Sequence, residues 1–184
     1  MISKKSGWLF AGALLWVSSI TNAEMLTFRF KGTVTYGGAL ASVGDEVTGH
    51  FCYDTDAIPG IRLDGYASYQ VDPECRFVVR VGAHKATSRN LSVSIFNNFG
   101  GNVEDMIDVY GQSAVVDGTE YPNGIVGFRL ATGPGNTKVF RSVNLRERFK
   151  IEDFDSMNYG EVLMNGSSNG TLLQFTITSI RTVD

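Results

Sequence analysis

From Met25 to Tyr36 apolar and polar residues alternate with a period of two. Leu26, Phe28, Phe30, Gly32, Val34 and Tyr36 share one parity; Thr27, Arg29, Lys31, Thr33 and Thr35 share the other. That pattern predicts a strand with one buried and one wet face. Near the C-terminal end Leu173, Phe175 and Ile177 oppose Gln174, Thr176 and Thr178, and the Thr and Phe content suits a strand. Shorter runs lie between: Val47 to Tyr53, Tyr66 to Val71, Phe77 to Val81, Leu91 to Phe96, Met106 to Gly111, Val126 to Leu130 and a weaker Glu161 to Met164. Turn signals separate them at Gly37-Gly38, Pro59-Gly60, Asp72-Pro73, Gly100-Gly101, Asp117-Gly118, Pro122-Asn123-Gly124 and Gly133-Pro134-Gly135. Asn165-Gly166 and Asn169-Gly170 predict a hairpin from Glu161 to Ile180. No segment keeps apolar residues at helical spacing for three turns, although Val143 to Ile151 suits a short helical turn. The expected fold is all-β, an antiparallel β-sandwich or jelly roll.

The first residues follow a different rule. Lys4 and Lys5 supply positive charge, Trp8 to Val17 an apolar run, and Thr21-Asn22-Ala23 small residues before Glu24. This is the order of a cleavable signal peptide, residues 1–23, with the cut between Ala23 and Glu24. An apolar run of about ten residues is too short for the roughly 20 that span a bilayer. No cysteine follows the cut and no second apolar run lies near Asp184, so the expected product is soluble and unanchored, in the periplasm or outside the cell. Residues 24–184 are expected to form one domain.

Two of the 16 Lys and Arg residues leave with the leader, so 14 face 19 acids and the balance is −5. Arg29, Lys31, Arg62, Arg76, Arg80, Arg129 and Arg141 are scattered along the chain. Arg146, Arg148 and Lys150 lie closer together but are diluted by Glu147 and Glu152. A mildly acidic chain without a basic run is not expected to bind nucleic acid.

The opening of the exported part carries a more specific pattern. Gly32 and Val34 end the first strand, and Gly44, Asp45, Val47, Gly49, Phe51, Tyr53 and Asp54 follow as Gly-Asp-x-Val-x-Gly-x-Phe-x-Tyr-Asp. This resembles the opening of a secreted bacterial β-sandwich domain common among proteins with PEP-CTERM sorting tails. Phe77 to Gly82, Ile125 to Leu130 and Leu172 to Ile180 resemble its later strands more loosely. The resemblance implies an envelope or extracellular protein of a Gram-negative bacterium, with no enzymatic activity to inherit and no functional residue to carry over. The Pro-Glu-Pro tail is absent before Asp184, so attachment by a sorting enzyme is not implied, and Cys52 and Cys75 fall outside the pattern.

Candidate chemistry is thin. Gly44-Asp45 predicts a tight turn, and Gly49 inside a strand predicts a bulge or a close backbone approach. Asp54 and Asp56 are spaced for calcium, but Ile58 and Pro59 stand where a calcium loop wants an oxygen ligand and a glycine, so turn capping is favoured. An exported chain with two cysteines suggests a Cys52–Cys75 disulfide. Their parities differ, so the bond requires a bend at Pro73-Glu74 or a Cys75 outside the regular strand. His50 is placed on a wet strand face and His84 in a turn, with no second His at metal spacing. The carboxylates Glu104, Asp105 and Asp108, and Glu152, Asp153 and Asp155, are read as loop acids and not as a glycosidase pair. Asn90, Asn165 and Asn169 open Asn-x-Ser/Thr sequons, read as turn residues in a bacterial chain. No cofactor is expected. The favoured function is a non-enzymatic structural or interaction protein whose partner is extracellular polysaccharide or envelope protein. The alternative is a glycan-binding module using Tyr66, Tyr69, Tyr110 or Tyr121.

Overall fold

The computed structural model describes residues 24–99, 104–145, 149–166 and 168–183; the leader and its cleavage site at Ala23 lie outside them, apart from Glu24. The strands are β1 Met25–Tyr36, β2 Glu46–Asp54, β3 Pro59–Leu63, β4 Tyr66–Gln70, β5 Val78–Val81, β6 His84–Thr87, β7 Asn90–Phe99, β8 Glu104–Val116, β9 Thr119–Ala131, β10 Met157–Leu163 and β11 Thr171–Val183. All pair antiparallel. The ring β8-β6-β5-β2-β1-β11-β10-β9 closes on itself through β8–β9, and β7, β4 and β3 extend from β8 outside the ring.

The fold is thus all-β as expected, but the sandwich or jelly-roll expectation is corrected to an eight-stranded antiparallel barrel. Period two marks an inside and an outside equally well for packed sheets and for one closed sheet, so it does not separate the two. Closure depends on β8. Its first part pairs with β7 from Asn90↔Gln112 to Phe99↔Glu104, and its last part pairs with β6 through Thr87↔Val115 and Ala86↔Val116. At the handover Ser113 has φ 57° and the register against β9 slips between Gln112 and Ala114, a bulge that bends the strand. Asp117 (φ 48°) and Gly118 (φ 86°) then form the two-residue turn into β9, with the left-handed pair that such hairpins need.

The interior is filled by aromatic rings. Phe28 stacks on Phe51 at 4.9 Å, Phe30 on Phe175 at 6.0 Å, Phe51 on Phe77 at 5.8 Å, and Phe128 meets Phe51 edge-on at 5.3 Å. The segment between β9 and β10 adds Phe140, Val143, Leu145, Phe149 and Phe154 to the same core, with Phe149 5.4 Å from Phe28. Among its described residues a 3-10 turn occurs at Ile151–Asp153; the helical turn expected over Val143 to Ile151 includes residues 146–148, which lie outside the described residues.

The glycines of the opening pattern have structural duties. Gly44 adopts φ 96°, and Asp45 Oδ2 accepts from the Ser42 N–H at 2.9 Å. Gly49 pairs with Phe30 in unbroken register, so the close approach is realised and not the bulge: a Cβ there would lie 2.2 Å from Phe30 Cζ and 2.3 Å from the Val78 carbonyl oxygen. Gly49→Ala is therefore expected to cost about 2 kcal/mol by overpacking, read as a lower urea midpoint with unchanged slope.

Candidate functional site

Eight-stranded barrels either pack their interior with side chains or enclose a ligand. Here aromatic rings pack the interior, which leaves the outer wall and the loops for contact chemistry among the described residues. Two outer faces differ in character.

The first face runs over β4, β7, β8, β9 and β10. The register sets Ser68, Ser94, Asp108 and Arg129 side by side across four strands. Ser94 Oγ donates to Ser68 Oγ at 3.0 Å, and Arg129 donates through Nε and Nη2 to both oxygens of Asp108 at 2.6 and 2.5 Å. This bidentate pair is largely covered on the Asp108 side and raises the Arg129 pKa. In the next row Tyr110 lies across Gly127, where a Cβ would come 2.5 Å from the ring, and its hydroxyl donates to that of Tyr159 at 3.5 Å. Burial, then the Tyr159 hydrogen bond, pushes the Tyr110 pKa far above its usual value.

Glu161, cross-strand from Gly127, has its carboxyl pKa raised by burial, against a smaller opposing pull from Arg129. The folded chain thus keeps this proton to a higher pH than the unfolded chain. The stability linked to it is complete below the unfolded value of about 4.3 and declines as pH rises through the folded value. Glu161→Gln should remove that decline, making the variant more stable at neutral pH by at most about 1 kcal/mol, since the site is partly hydrated. Melting curves between pH 3.5 and 7 check it.

The proposed tyrosine contacts fare unequally. Tyr69 is a correction: it is buried, 2% exposed, and its hydroxyl donates to the Val143 carbonyl at 2.7 Å, which anchors the segment over the barrel end. Tyr66 is half-buried against Phe96 at 4.7 Å, and Tyr121 is half-buried against the core. The two tyrosines of the β4 strand do point to opposite faces, and the outward one is covered by its neighbour's ring.

The second face runs over β11, β1, β2, β5 and β6, and it gathers basic residues that are scattered along the chain. Arg181 lies directly opposite Arg29, which lies opposite His50. Two residues along, Lys31 faces Thr48, Thr48 faces Arg80, and Arg80 faces Lys85. Five cations and one imidazole therefore share one wall. Burial lowers the His50 pKa first, and Arg29, Arg80 and Lys85 lower it further. Lys31 pairs with Glu46 at 3.3 Å in an exposed contact; among the described residues the charged groups of Arg29, Arg80, Lys85 and Arg181 have no carboxylate within 4 Å, although the Lys85 backbone N–H donates to Asp117 Oδ1 at 2.8 Å. An open groove of about 520 Å³ is lined by Arg29, Lys31, Thr48, Ser179 and Arg181, with Phe30 and Gly49 also in its lining. The parity of each residue was visible in the sequence; the register that joins them was not.

The remaining candidates hold structural posts. Asp54 Oδ1 accepts from the Asp56 N–H at 2.8 Å, the turn cap favoured over a calcium site, and no group of three acidic, His or Cys side chains suited to a metal occurs among the described residues. Cys52 and Cys75 are joined by a disulfide. His84, expected in a turn, opens β6 and pairs through Nδ1 with Asp117 Oδ2 at 2.6 Å, and that contact lowers the Asp117 pKa. Of the two acidic clusters, Asp105 Oδ2 accepts from the Val139 and Phe140 N–H groups at 2.9 Å each, and Asp108 is held by Arg129. Asp153 Oδ2 accepts from the Lys150 N–H at 3.0 Å and Asp155 Oδ1 from the Gly133 N–H at 2.6 Å. These four carboxylates are committed to holding backbone or a guanidinium. No helix among the described residues is long and apolar enough to cross a membrane.

No family model, curated protein or solved structure matches this chain.

Proposed function

We propose that the chain is an exported, non-enzymatic interaction protein of a bacterial envelope or extracellular matrix, working through its outer wall. The supporting observation is the filled interior: the rings of Phe28, Phe30, Phe51, Phe77, Phe128 and Phe175 leave binding chemistry only on the outside. The Cys52–Cys75 disulfide suits an oxidising compartment. Four of the six clustered acids, Asp105, Asp108, Asp153 and Asp155, are engaged in holding backbone or pairing Arg129, which supports binding over catalysis.

The tyrosine-platform alternative has less support, since Tyr69 is buried and Tyr66, Tyr110 and Tyr121 are each half-covered.

The test pairs binding with turnover. Immobilised protein is exposed to acidic and neutral polysaccharides and to envelope extracts, while released reducing ends are measured in the same samples. Retention of a polymer without cleavage is the expected result. Steady release of product from any of them would overturn the non-enzymatic reading.

A further inference from the structure

The wall of β11, β1, β2, β5 and β6 carries an arrangement that folding alone does not ask for. Arg181 and Arg29 are directly opposed across one strand pair, and Arg80 and Lys85 across another. Like charges in opposed positions destabilise a sheet. Protection of a free sheet edge is the usual reason to place lysines on strands. It does not apply here, because all five strands belong to the closed ring. The chain has more acids than bases, yet only Glu46 stands against this group among the described ion pairs.

The shape of the charge is informative. With neighbouring strands about 4.8 Å apart, five strands make a strip of roughly 19 Å across the wall. Its width is two residues along each strand, about 7 Å. A strip this long and narrow matches an extended polymer lying across the strands better than a compact anion. The outward residues Arg181, Ser179, Arg29, Lys31, Thr48 and Arg80 include no Phe, Tyr or Trp and no apolar side chain, and Phe30, in the lining of the groove, is 2% exposed, too little to stack a base or enter a bilayer. The excess of acids elsewhere opposes a polymer as densely charged as nucleic acid, and is tolerant of one carboxylate per sugar.

We propose that this wall binds an acidic polysaccharide, with uronate carboxylates seated between Arg181 and Arg29 and along Lys31, Arg80 and Lys85. The inference rests on the reading of the chain as an interaction protein and names its ligand class. Hydroxyls of Thr48 and Ser179 line the groove beside these cations and are placed to hydrogen-bond sugar hydroxyls. His50 sits among Arg29, Arg80 and Lys85, which add to burial in lowering its pKa, so a carboxylate polymer laid over these cations offsets their part of that shift.

The experiment titrates the full exported chain with oligogalacturonate, neutral dextran, single-stranded RNA and anionic lipid vesicles. Oligogalacturonate is expected to bind, more weakly as salt rises, with dextran silent. The double variants R29S/R181S and R80S/K85S are each expected to lose about tenfold or more in affinity, while R62S, on β3 outside the ring, is unchanged. Both doubles remove opposed like charges and should melt no lower than the parent. In the unsubstituted chain, saturation should raise the His50 pKa followed by its ring proton signals, a readout that needs no variant.

Unchanged affinity in both doubles, or a His50 signal that titrates identically with and without oligomer, overturns the site. RNA or vesicles binding more tightly than oligogalacturonate overturns the ligand class. Failure of oligogalacturonate alongside uncleaved retention of another polymer defeats this inference and leaves the interaction reading standing; cleavage of the oligomer defeats that reading instead.

Discussion

Asp105→Ala should lower stability by roughly 4 kcal/mol, the largest loss expected from any single polar side chain in the structure. Its carboxylate is fully buried and takes three backbone donors: Asn98 N–H on Oδ1 at 3.2 Å, and Val139 and Phe140 N–H on Oδ2. Thr132, also fully buried, returns the favour, its Oγ1 accepting from the Asp105 N–H and donating to the Asn136 carbonyl. Together the two residues fasten the segment after β9 across the barrel end, where Phe140 contacts Phe149 and Phe154. Alanine strands three donors away from water, and burying an unpaired donor costs about 1–3 kcal/mol. Relaxation of the segment recovers part of that sum. Equilibrium urea unfolding measures the loss; one below about 1 kcal/mol would show that the segment contributes little to the fold. Asp105→Asn keeps the shape but sets an amide N–H against a backbone N–H, so an intermediate loss is expected.

Asp105 also shows where sequence reasoning stops. Glu104-Asp105 looks like a loop acid beside Gly100-Gly101, and two of the three partners of the Asp105 side chain lie more than 30 residues downstream, at Val139 and Phe140. No local pattern announces such a bond. Strands with strong alternation were legible: β1 runs over the residues expected, and β2, β4, β5, β7 and β11 centre on theirs. β3 was missed because Gly60, Ile61, Arg62 and Leu63 are all exposed, so this outer strand has no buried parity to read. β6 was missed because four residues with only Ala86 buried make too short a pattern. Losing β6 hid the closure, since β6 joins β5 to β8. It also hid Lys85 and with it one end of the basic wall. Arg29 and Arg181 are 152 positions apart in the chain and meet only through the β1–β11 register.

The second large effect follows from the disulfide. C52A/C75A is expected to destabilise by about 3 kcal/mol, the chain-entropy estimate for a loop of this length, and to lower the melting temperature by roughly 6–12 °C. The sulfurs close 23 residues that hold β3 and β4, two of the three strands outside the ring, and the turn that leads back into β5. The parity conflict between the cysteines is resolved by that turn: the Cys75 N–H donates to the Asp72 carbonyl at 2.8 Å, the Glu74 N–H donates to Asp72 Oδ1, and regular pairing of β5 begins only at Val78. Cys75 is thus free of the strand's alternation, and the bond fastens it to the outward side chain of Cys52, beyond the last β2–β5 pair at His50 and Val78. The unfolded chain, relieved of this cross-link, gains most in the part of the fold with the fewest ring contacts. Hydrogen exchange should therefore rise first in β3 and β4 when the bond is removed, with β1 and β11 protected until global unfolding. Equal acceleration in all strands, or a melting temperature unmoved by reduction, would show that the ring and its outlying strands are held together without the sulfurs.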